Sequence, residues 1–552
     1  MRPRAATDRE TNIRYHAFRL MDDLLDVHDH RRSNRRMSRY LDKPEKMYRA
    51  FTALLVVAAL SFAVVAATRQ EPAEKSVEQY PFRRDTVTNL AQRLASEGHG
   101  LPKIDGASPL RQISYDQYRE IRSNPDAAIW RNDQVPIRME LLPAGFLFQT
   151  PVKVSIVESG IARDVRAAPD SFLLGPSVRK ALGGLTLPLS GFRLRNHINS
   201  RSVWDEFLVF QGASYFRAIS KDNVYGISAR GLALKTASPT GEEFPQFTHF
   251  WIERPSANAA GVVVHALLES ASTTGAYRFS IVPGTETLME VTLTLFPRTA
   301  LDSVGIAPLT SMFYFDESNR SRIDDFRDEV HDSDGLQIVT DAGEQIWRPL
   351  ANPTQLQISS FTSTAPRGFG LVQRSRRYTD YQDLEAHYER RPSAWIEPIG
   401  TWGPGAVSLI EIPTDSENND NIIAFWRPRN PIPAGKPWQI AYRLRWNERP
   451  RIMPSLARAS VTRSGPSDDG KRRRFIIDFV GSVRSTEDLK LDAGTSAGKI
   501  SNMILEANPS TRGVRATFEL APGDATVAEL RVRLLRGTRP VSETWLYRWT
   551  GS

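Results

Sequence analysis

Short β-rich segments, divided by turn-forming residues, make up most of this chain after about residue 132. Residues 135–142, 261–268, 287–296 and 422–426 are rich in β-branched and aromatic side chains, and several of these segments alternate apolar and polar positions. Gly, Pro, Asn and Asp separate the segments, and few long amphipathic helical patterns interrupt them. The chain is therefore predicted to be mainly β, with a large antiparallel β-sandwich rather than a doubly wound α/β fold.

A short helical region is predicted ahead of the strands. Asp85 and Thr86 are suited to cap a helix whose apolar residues recur on one face between residues 87 and 95. Ser114 is suited to cap a second helix that continues to Ile121.

The C-terminal part is predicted to form a unit of its own. Residues 449–464 are rich in Arg, Pro and Ser and carry little periodic pattern, which is typical of a domain boundary. Four strand-like segments follow, at residues 473–480, 515–520, 528–535 and 543–549. We therefore predict a large sandwich over residues 80–449 and a smaller immunoglobulin-like sandwich over residues 455–549.

Charge and composition exclude several function classes. Residues 1–50 contain 13 Lys and Arg against 8 Asp and Glu, a balance of +5, so the remaining 502 of the 552 residues hold 59 against 55, or +4 of the total +9. A body this close to neutral lacks the electrostatic footprint of a nucleic-acid-binding protein. The chain has no cysteine and its nine histidines show no metal-ligand spacing, so thiolate chemistry is excluded and we expect neither a metal nor a cofactor.

Residues 51–67 form a stretch of 17 residues without a charge, preceded by a basic segment. This length is at the short limit for a membrane-spanning helix, and the small residues at its end suit a signal peptidase. Two interpretations stay open: a cleaved signal segment, or an uncleaved anchor with the basic residues 1–50 as a cytoplasmic tail. A start at Met37 or Met47 would shorten that tail. In each case the residues after 70 are expected on the far side of the membrane.

Residues 391–428 place three tryptophans and several acidic residues in loops between short apolar strands. Aromatic faces stack on pyranose rings, while carboxylates and arginines bind sugar hydroxyls and move protons. This composition indicates an uncharged, polyhydroxylated ligand. A Trp-rich β core with acidic turns would have the same composition.

Eight motifs carry a resemblance to one protein family. They are GASYFR (212–217), YGISARGLAL (225–234), GEEFPQFTHFWIERP (241–255), GIAPLTSMF (305–313), EVHDSDGL (329–336), WRPLANP (347–353), RRPSAWIEPIGTWGPGAVSLIEIPT (390–414) and NDNIIAFWRP (419–428). On these motifs the chain, from about residue 80 to residue 549, resembles the periplasmic glucan biosynthesis proteins G and D. Both branches share the motifs, so the choice between G and D stays open.

The resemblance implies a fold, a compartment and a role. It implies a large N-terminal β-sandwich, a smaller immunoglobulin-like domain and a Gram-negative periplasmic location. It also implies a part in making osmoregulated periplasmic glucans with a β-1,2-linked backbone, and similarity to glycoside hydrolases that cleave β-1,2-glucan internally with inversion. Family members usually begin with an ordinary or twin-arginine export signal, whereas this chain begins with a long basic tail.

Three residues match family positions at the reacting sugar. The resemblance implies that Asp420, directly before the strand at 422–426, is the general acid, and that Asp332 belongs to the base end of the reaction. It places Tyr388 near the reacting sugar. Plainer interpretations are an Asx turn for Asp420, a loop turn for Asp332 and a core position for Tyr388.

Five further residues are candidates for substrate binding: Trp347, Arg348, Arg391, Trp402 and Trp426. The indoles would stack on sugar rings, and the guanidinium groups would bind hydroxyls or hold the acids in their charge state. Strand alternation buries some tryptophans, so no more than half of them are expected to touch ligand. Salt bridging is the plainer role for each arginine.

Two classes of function follow. The first is an enzyme, an inverting endo-β-1,2-glucanase located in the periplasm or anchored in the inner membrane. The second is a non-catalytic scaffold that presents nascent glucan to synthesis or branching partners in the membrane, such as a glucan synthase. A lyase or transglycosylase would use similar residues. Because both acids are present, the sequence favours the enzyme.

Overall fold

The computed structural model describes residues 78–551 apart from 321, 449 and 451–455. The basic tail and the apolar segment at 51–67 lie outside the described residues. Within them, no helix combines the length and the apolar composition that crossing a bilayer requires.

Strands dominate the described chain. The first half contains β1 (Gln79–Pro81), β2 (Ile121–Ser123), β3 (Arg138–Pro143), β4 (Lys153–Glu158), β5 (Ile161–Asp164), β6 (Phe172–Leu174), β7 (Leu189–Asn196), β8 (Asp205–Gln211), β9 (Tyr215–Ala218), β10 (Ser228–Arg230), β11 (Leu232–Leu234), β12 (Gln246–Glu253), β13 (Val262–Glu269), β14 (Thr273–Val282), β15 (Thr287–Pro297), β16 (Val304–Ser311) and β17 (Phe313–Phe315). The second half contains β18 (Val330–His331), β19 (Gly335–Val339), β20 (Gln345–Pro349), β21 (Gln357–Ser363), β22 (Gly368–Val372), β23 (Ser393–Ile399), β24 (Gly405–Glu411), β25 (Ile422–Pro428), β26 (Trp438–Asn447), β27 (Arg458–Pro466), β28 (Arg473–Val480), β29 (Leu489–Thr495), β30 (Lys499–Asn508), β31 (Gly513–Ala521), β32 (Val527–Arg536), β33 (Arg539–Pro540) and β34 (Thr544–Thr550). The α-helices are α1 (Thr86–Ala95), α2 (Tyr115–Arg119), α3 (Pro176–Leu182) and α4 (Tyr378–Tyr381). The mainly β prediction is confirmed.

Two large sheets face each other across the main core. One runs in the order β1-β5-β4-β12-β13-β14-β15-β26-β23-β22-β19-β20-β34-β32-β29, and the other in the order β21-β24-β25-β16-β10-β9-β8-β7-β3. Side chains from both sheets interdigitate: the ring of Phe210 on β8 lies 5.2 Å from that of Phe279 on β14, and Phe192 on β7 lies 5.1 Å from Phe250 on β12. Such contacts are typical of a sandwich whose inward residues alternate with outward ones.

The pairing is mixed rather than purely antiparallel. Strand β4 runs parallel to β12, and β20 runs parallel to β34. The second pairing matters for the domain organisation, because β34 comes from the C-terminal part of the chain. It extends the large sheet into that part, where β27-β28-β31-β30 form a separate four-stranded sheet.

A second core lies in the C-terminal part. Phe475 and Phe518 from the four-stranded sheet pack against Trp545 and Tyr547 on β34, with the rings of Phe475 and Tyr547 5.5 Å apart. The two sheets of this unit are therefore a sandwich, but one of them is shared with the larger unit. The boundary near residue 449 and the immunoglobulin-like topology stay predictions.

Both predicted helices form, but the second is shorter than predicted. Ser114 makes a capping box with Gln117, its hydroxyl accepting from the Gln117 amide while the Gln117 side chain accepts from the Ser114 amide. Helix α2 ends at Arg119, and the prediction that it continues to Ile121 is wrong. Ile121 instead pairs with Leu174 as the first residue of β2, because strand pairing outweighs a weak helical periodicity.

Candidate active site

The two candidate acids lie on segments that flank the same stretch of chain, where β16 passes into β17. The Asp332 amide donates to the Met312 carbonyl oxygen at 2.9 Å. On the other side, the Asn421 side chain accepts from the Phe313 amide at 2.8 Å and donates to its carbonyl oxygen at 2.9 Å. The segments that carry Asp332 and Asp420 therefore lie on opposite sides of residues 312 and 313.

Asp332 is buried and held by one arginine. Its side chain is only 3% exposed, and its Oδ1 accepts from Arg391 Nη1 at 2.7 Å. The other guanidinium nitrogens of Arg391 donate to the Ala386 carbonyl oxygen, and the guanidinium carbon lies 4.5 Å from the Tyr388 ring centre. Gly226 permits this packing, because a Cβ there would lie 2.9 Å from the Arg391 side chain. The arginine thus fixes the carboxylate in one orientation.

A hydrogen bond joins Tyr388 to a network of carboxylates around Arg327. Its ring is fully buried, and its hydroxyl donates to Glu417 Oε2 at 3.0 Å. Arg327 Nη1 lies 2.9 Å from the same glutamate oxygen and 2.7 Å from Asp383. Arg327 also pairs with Asp325, and its pKa is raised: burial lowers it, but these carboxylates outweigh the burial. Sequence reasoning missed Arg327, Asp383 and Glu417, which lie far apart along the chain.

The loop that delivers Tyr388 and Arg391 is held in an uncommon backbone conformation. Gln382 and His387 both adopt the left-handed region, at φ 54° and 45°. Asp383 stabilises the turn between them by accepting from the Glu385 and Ala386 amides. A non-glycine residue in this region costs free energy, so the surrounding contacts must impose the loop conformation.

Asp420 is placed by its neighbours in sequence. It lies directly before β25 and is 4% exposed. Asn421 anchors the start of the strand through the bonds to Phe313, and it also donates to the Ile412 carbonyl oxygen at 3.1 Å. On the other side, Asn419 donates to the Thr414 hydroxyl at 3.2 Å. The carboxyl therefore lies at the end of a rigid strand rather than on a loose loop, and sequence alone gave no indication that Asn421 is the anchor.

Trp347 packs against residues other than the two acids. It is 3% exposed, its ring covers Gly335, and the Arg374 guanidinium carbon lies 3.3 Å from its ring centre. It belongs to the second core, where β20 meets β34. Its ring is buried against Gly335 and Arg374, so we leave it out of the proposed site.

Arg348 is fully buried in an ion pair with Glu411. Its Nη2 lies 3.1 Å from Glu411 Oε2, and the two side chains are 2% and 0% exposed. Glu411 also accepts from the Ala351 amide at 2.8 Å. Burial raises the pKa of Glu411, and the nearby Arg348 opposes that rise. This arrangement is structural, and we leave Arg348 out of the proposed site as well.

Trp402 and Trp426 pack together inside the main core. Trp426 is 0% exposed and Trp402 is 8% exposed, with ring centres 6.3 Å apart. The Trp402 indole nitrogen donates to the Ala441 carbonyl oxygen at 2.9 Å. Of the five predicted substrate-binding residues, the structure brings only Arg391 to a candidate acid.

His331, next to Asp332, is the centre of a buried polar cluster. Its Nδ1 lies 3.0 Å from Gln373 Oε1, and its Nε2 lies 3.0 Å from Glu329 Oε2. The side-chain nitrogen of Gln373 donates to oxygens of His331, Tyr381 and Tyr388. The side-chain oxygen of Gln373 must therefore accept from His331 Nδ1. Burial lowers the pKa of His331, but Asp334, Glu329 and Asp316 outweigh it and raise that pKa to about 9.

The same cluster raises the question of a metal. Ligand atoms of Glu329, His331 and Asp334 lie within 4.8 Å of one another. However, Nδ1 of His331 carries a proton toward Gln373, its Nε2 faces Glu329, and Asp334 accepts from two backbone amides. A metal-binding histidine needs a deprotonated nitrogen aimed at the ion. Because the surrounding carboxylates raise the pKa of His331, they favour an imidazolium whose two ring nitrogens donate to Gln373 and Glu329, and we assign the cluster to hydrogen bonding.

We expect Glu329 to make the folded protein less stable as the pH rises from about 4.5 to 7. Burial, followed by the charges of Glu317 and Asp334, raises the Glu329 pKa from 4.5 to about 7. The folded state then keeps a proton that the unfolded state releases, so the free energy of unfolding falls across this window by on the order of 1–3 kcal/mol. In Glu329→Gln this part of the decrease in the free energy of unfolding with pH should disappear. Urea titrations at pH 5, 6 and 7 measure it.

A suitable control is Glu385→Gln, since Glu385 is exposed on the loop nearby. The free energy of unfolding of this control should fall with pH as steeply as that of the parent. Equal slopes in Glu329→Gln and in the parent would contradict the assignment.

A Ser-His-Asp cluster elsewhere is not arranged for nucleophilic catalysis. The Ser155 hydroxyl donates to Asp164 at 2.7 Å and lies 2.7 Å from His249 Nε2. Because the serine proton is directed to Asp164, His249 must donate rather than accept, the reverse of the order in a catalytic triad. Burial, helped by Lys153, lowers the His249 pKa to about 3, and Ser155 is 0% exposed. The cluster is a structural hydrogen-bond network.

The structure is a mainly β protein with two large sheets, in which Asp332 and Asp420 are buried on segments that flank residues 312 and 313. The family model for the periplasmic glucan biosynthesis protein MdoG matches residues 82–549. Similar proteins include glucans biosynthesis protein G of Shewanella sp. strain ANA-3, 49% identical over 87% of this chain and 90% of that protein. Glucans biosynthesis protein G 1 of Shewanella oneidensis is 50% identical over 85% of this chain and 87% of that protein. Glucans biosynthesis protein G of Vibrio cholerae is 49% identical, again over 85% of this chain and 87% of that protein. The chain therefore belongs to the MdoG family of periplasmic glucan biosynthesis proteins, as its motifs predicted.

Proposed function

We propose that the chain acts in the biosynthesis of periplasmic glucans by cleaving their β-1,2-linked backbone internally with inversion. The observation that carries this proposal is the position of Asp332 and Asp420 on either side of residues 312 and 313. Inverting glycosidases hold their two carboxyl groups roughly 6.5–9.5 Å apart so that water fits between base and sugar. The contacts of both segments with residues 312 and 313 support a common site for the two acids.

In this proposal the two carboxyls have different roles. Asp420 protonates the leaving glycosidic oxygen, and Asp332 accepts the proton of the attacking water, directly or through one water or sugar hydroxyl. The hydrogen bond from Arg391 Nη1 to Asp332 Oδ1 fixes the orientation of the proposed base. Tyr388 supports Arg391 through its ring face and orders the Glu417 side chain through its hydroxyl.

Residues after about 70 would carry out this reaction in the periplasm. The glucan is the proposed ligand, and an inner-membrane glucan synthase is the proposed partner that supplies it. Residues 51–67 would act either as the export signal or as the anchor.

The proposal is tested by incubating the full-length protein with linear β-1,2-glucan. We expect shorter oligosaccharides whose new reducing ends are α-anomers, because inversion at a β-linkage produces the α-configuration. Proton NMR within minutes of cleavage distinguishes the anomers before they interconvert, and linear β-1,3-glucan of similar length is the linkage control.

Each other result has a defined meaning. Initial β-anomers would contradict inversion. Binding of β-1,2-glucan without any cleavage would replace the enzyme with the scaffold that presents nascent glucan to membrane partners.

A further inference from the structure

A groove of about 350 Å³ lies between the large unit and the C-terminal unit, and none of the residues assigned to catalysis lines it. Five cationic side chains line it: Arg322, Lys471, Arg472, Arg473 and Arg548. None of the described residues that line it is an aspartate or a glutamate. A groove lined by one sign of charge concentrates ligands of the opposite sign.

Two of the five cations are already neutralised. Arg472 pairs with Asp469 at 2.9 Å and with Glu519 at 2.8 Å, and Arg548 pairs with Glu529 at 2.5 Å. These acids hold the two arginines in place from outside the groove. The charge available to a ligand must therefore come from the other three residues.

Arg322, Lys471 and Arg473 have no carboxylate within ion-pair distance in the part of the chain that the structure describes. Arg322 donates to the Asn352 carbonyl oxygen at 2.7 Å, and Arg473 donates to the Ser464 hydroxyl at 2.9 Å. These bonds to neutral oxygens orient both guanidinium groups without cancelling their charge. The groove therefore presents three uncompensated cations.

The walls of the groove are fixed by hydrogen bonds. The turn that carries Lys471 is closed by Asp469, which accepts from the Ser467 hydroxyl at 2.6 Å and from the Lys471 amide at 3.0 Å. The two units are joined beside it, where the Ser464 hydroxyl donates to the Ser318 carbonyl oxygen at 3.0 Å. Arg322 belongs to one unit and Lys471 and Arg473 belong to the other, so the three cations line one groove only when both units are docked.

One more side chain narrows the ligand class. The indole of Trp549 lines the same groove and is partly exposed. Guanidinium and ammonium groups bind phosphate oxygens through charge-assisted hydrogen bonds, and an indole face suits a sugar ring. The volume lies at the lower end of the range for small-ligand sites, about 300–1,000 Å³.

We propose that this groove binds a phosphate ester carried on a saccharide, with the phosphate at Arg322, Lys471 and Arg473 and the sugar at Trp549. The site uses none of the proposed catalytic residues and stands independently of the glucanase reaction. It would give the protein a means of distinguishing charged from uncharged saccharides.

Calorimetry on the full-length protein tests this, with glucose 6-phosphate, glucose and inorganic phosphate as probes. We expect glucose 6-phosphate to bind more tightly than inorganic phosphate, and glucose not to bind detectably. Lys471→Gln should weaken glucose 6-phosphate binding roughly tenfold, since one charge-assisted contact is lost. Lys471→Gln combined with Arg473→Gln should weaken it further, and 0.5 M NaCl should do the same to the parent.

Arg484→Gln is the matched control, because Arg484 is an exposed arginine of the same unit and does not line the groove. It should bind as the parent does. Lys471 makes no side-chain hydrogen bond in the described structure, so its replacement should not change the melting temperature. Equal binding by the Lys471 variant and the control, or no binding of glucose 6-phosphate by the parent, would overturn the proposal.

Vesicles distinguish a second source of the same phosphate chemistry. If phosphatidylglycerol vesicles bound in a Lys471-dependent way while glucose 6-phosphate did not, the groove would recognise a lipid headgroup and the saccharide assignment would be wrong. Phosphatidylcholine vesicles are the control for surface charge. Cleavage of β-1,2-glucan is measured in parallel and should be unchanged in the Lys471 variant. Failure of the phosphate site and failure of the glucanase proposal can therefore be told apart.

Discussion

Replacing Asp420 with asparagine should lower the rate of β-1,2-glucan cleavage by about a hundred- to ten-thousand-fold, because the amide cannot donate a carboxylic proton to the leaving oxygen. The side chain keeps its size, and Asn421 still anchors the start of β25 through Phe313. Glucan affinity and the melting temperature should therefore stay close to those of the parent. Reducing-end assays under saturating glucan measure the rate, and calorimetry measures the affinity.

Asp415→Asn is the matched control for this variant. Asp415 is exposed in the same loop, and the hydrogen bond that the structure gives it uses its backbone oxygen, which accepts from Tyr314. The control should cleave glucan at the parent rate. A folded Asp420→Asn protein with full activity would remove Asp420 from the catalytic role and leave it as a turn residue or a sugar-binding group.

Replacing Arg348 with methionine should destabilise the fold by about 3–5 kcal/mol, the typical cost of leaving a buried charge without its partner. The unpaired charge would be that of Glu411, which is 0% exposed. Because burial already raises the Glu411 pKa, protonation relieves the unpaired charge at low pH, so the loss should be smaller at pH 5 than at pH 8. Urea unfolding at both pH values measures the difference.

A second substitution tests whether the unpaired charge of Glu411 causes the loss of stability. In Arg348→Met combined with Glu411→Gln, no charge remains at the pair, and the new glutamine oxygen can still accept from the Ala351 amide. The double variant should regain most of the lost stability. If Arg348→Met were as stable as the parent but bound glucan weakly, Arg348 would instead be the substrate-binding residue that its motif predicted.

The strands could be predicted from sequence because their signal is local. Residues 473–480 coincide with β28, and residues 287–296 differ from β15 by one residue at the C-terminal end. Alternating β-branched and aromatic residues between turn formers specify such strands without knowledge of their partners. Ile121 shows the limit, because a three-residue strand is set by its pairing with Leu174 rather than by its own pattern.

The sequence did not show which tryptophans are buried and which face a ligand. Trp347, Trp402 and Trp426 have the residue type of a sugar-stacking platform, yet the structure buries all three. Whether an indole faces a ligand or a neighbouring sheet depends on what packs against it, and for Trp347 that is Arg374 and Gly335. These contacts join positions that are distant in sequence.

The sequence by itself determined the mainly β fold, the family, and the position of Asp420 directly before a short apolar strand, because these depend on local pattern and on motifs. Only the tertiary structure decided that one sheet continues from the large unit into the C-terminal unit through β20 and β34. It also decided that Arg391 pairs with Asp332 while Arg348 pairs with Glu411. The physical reason is that the partner of a buried charge is chosen by distance in space. The two partners are 59 positions apart in the chain for Arg391 and Asp332, and 63 positions apart for Arg348 and Glu411.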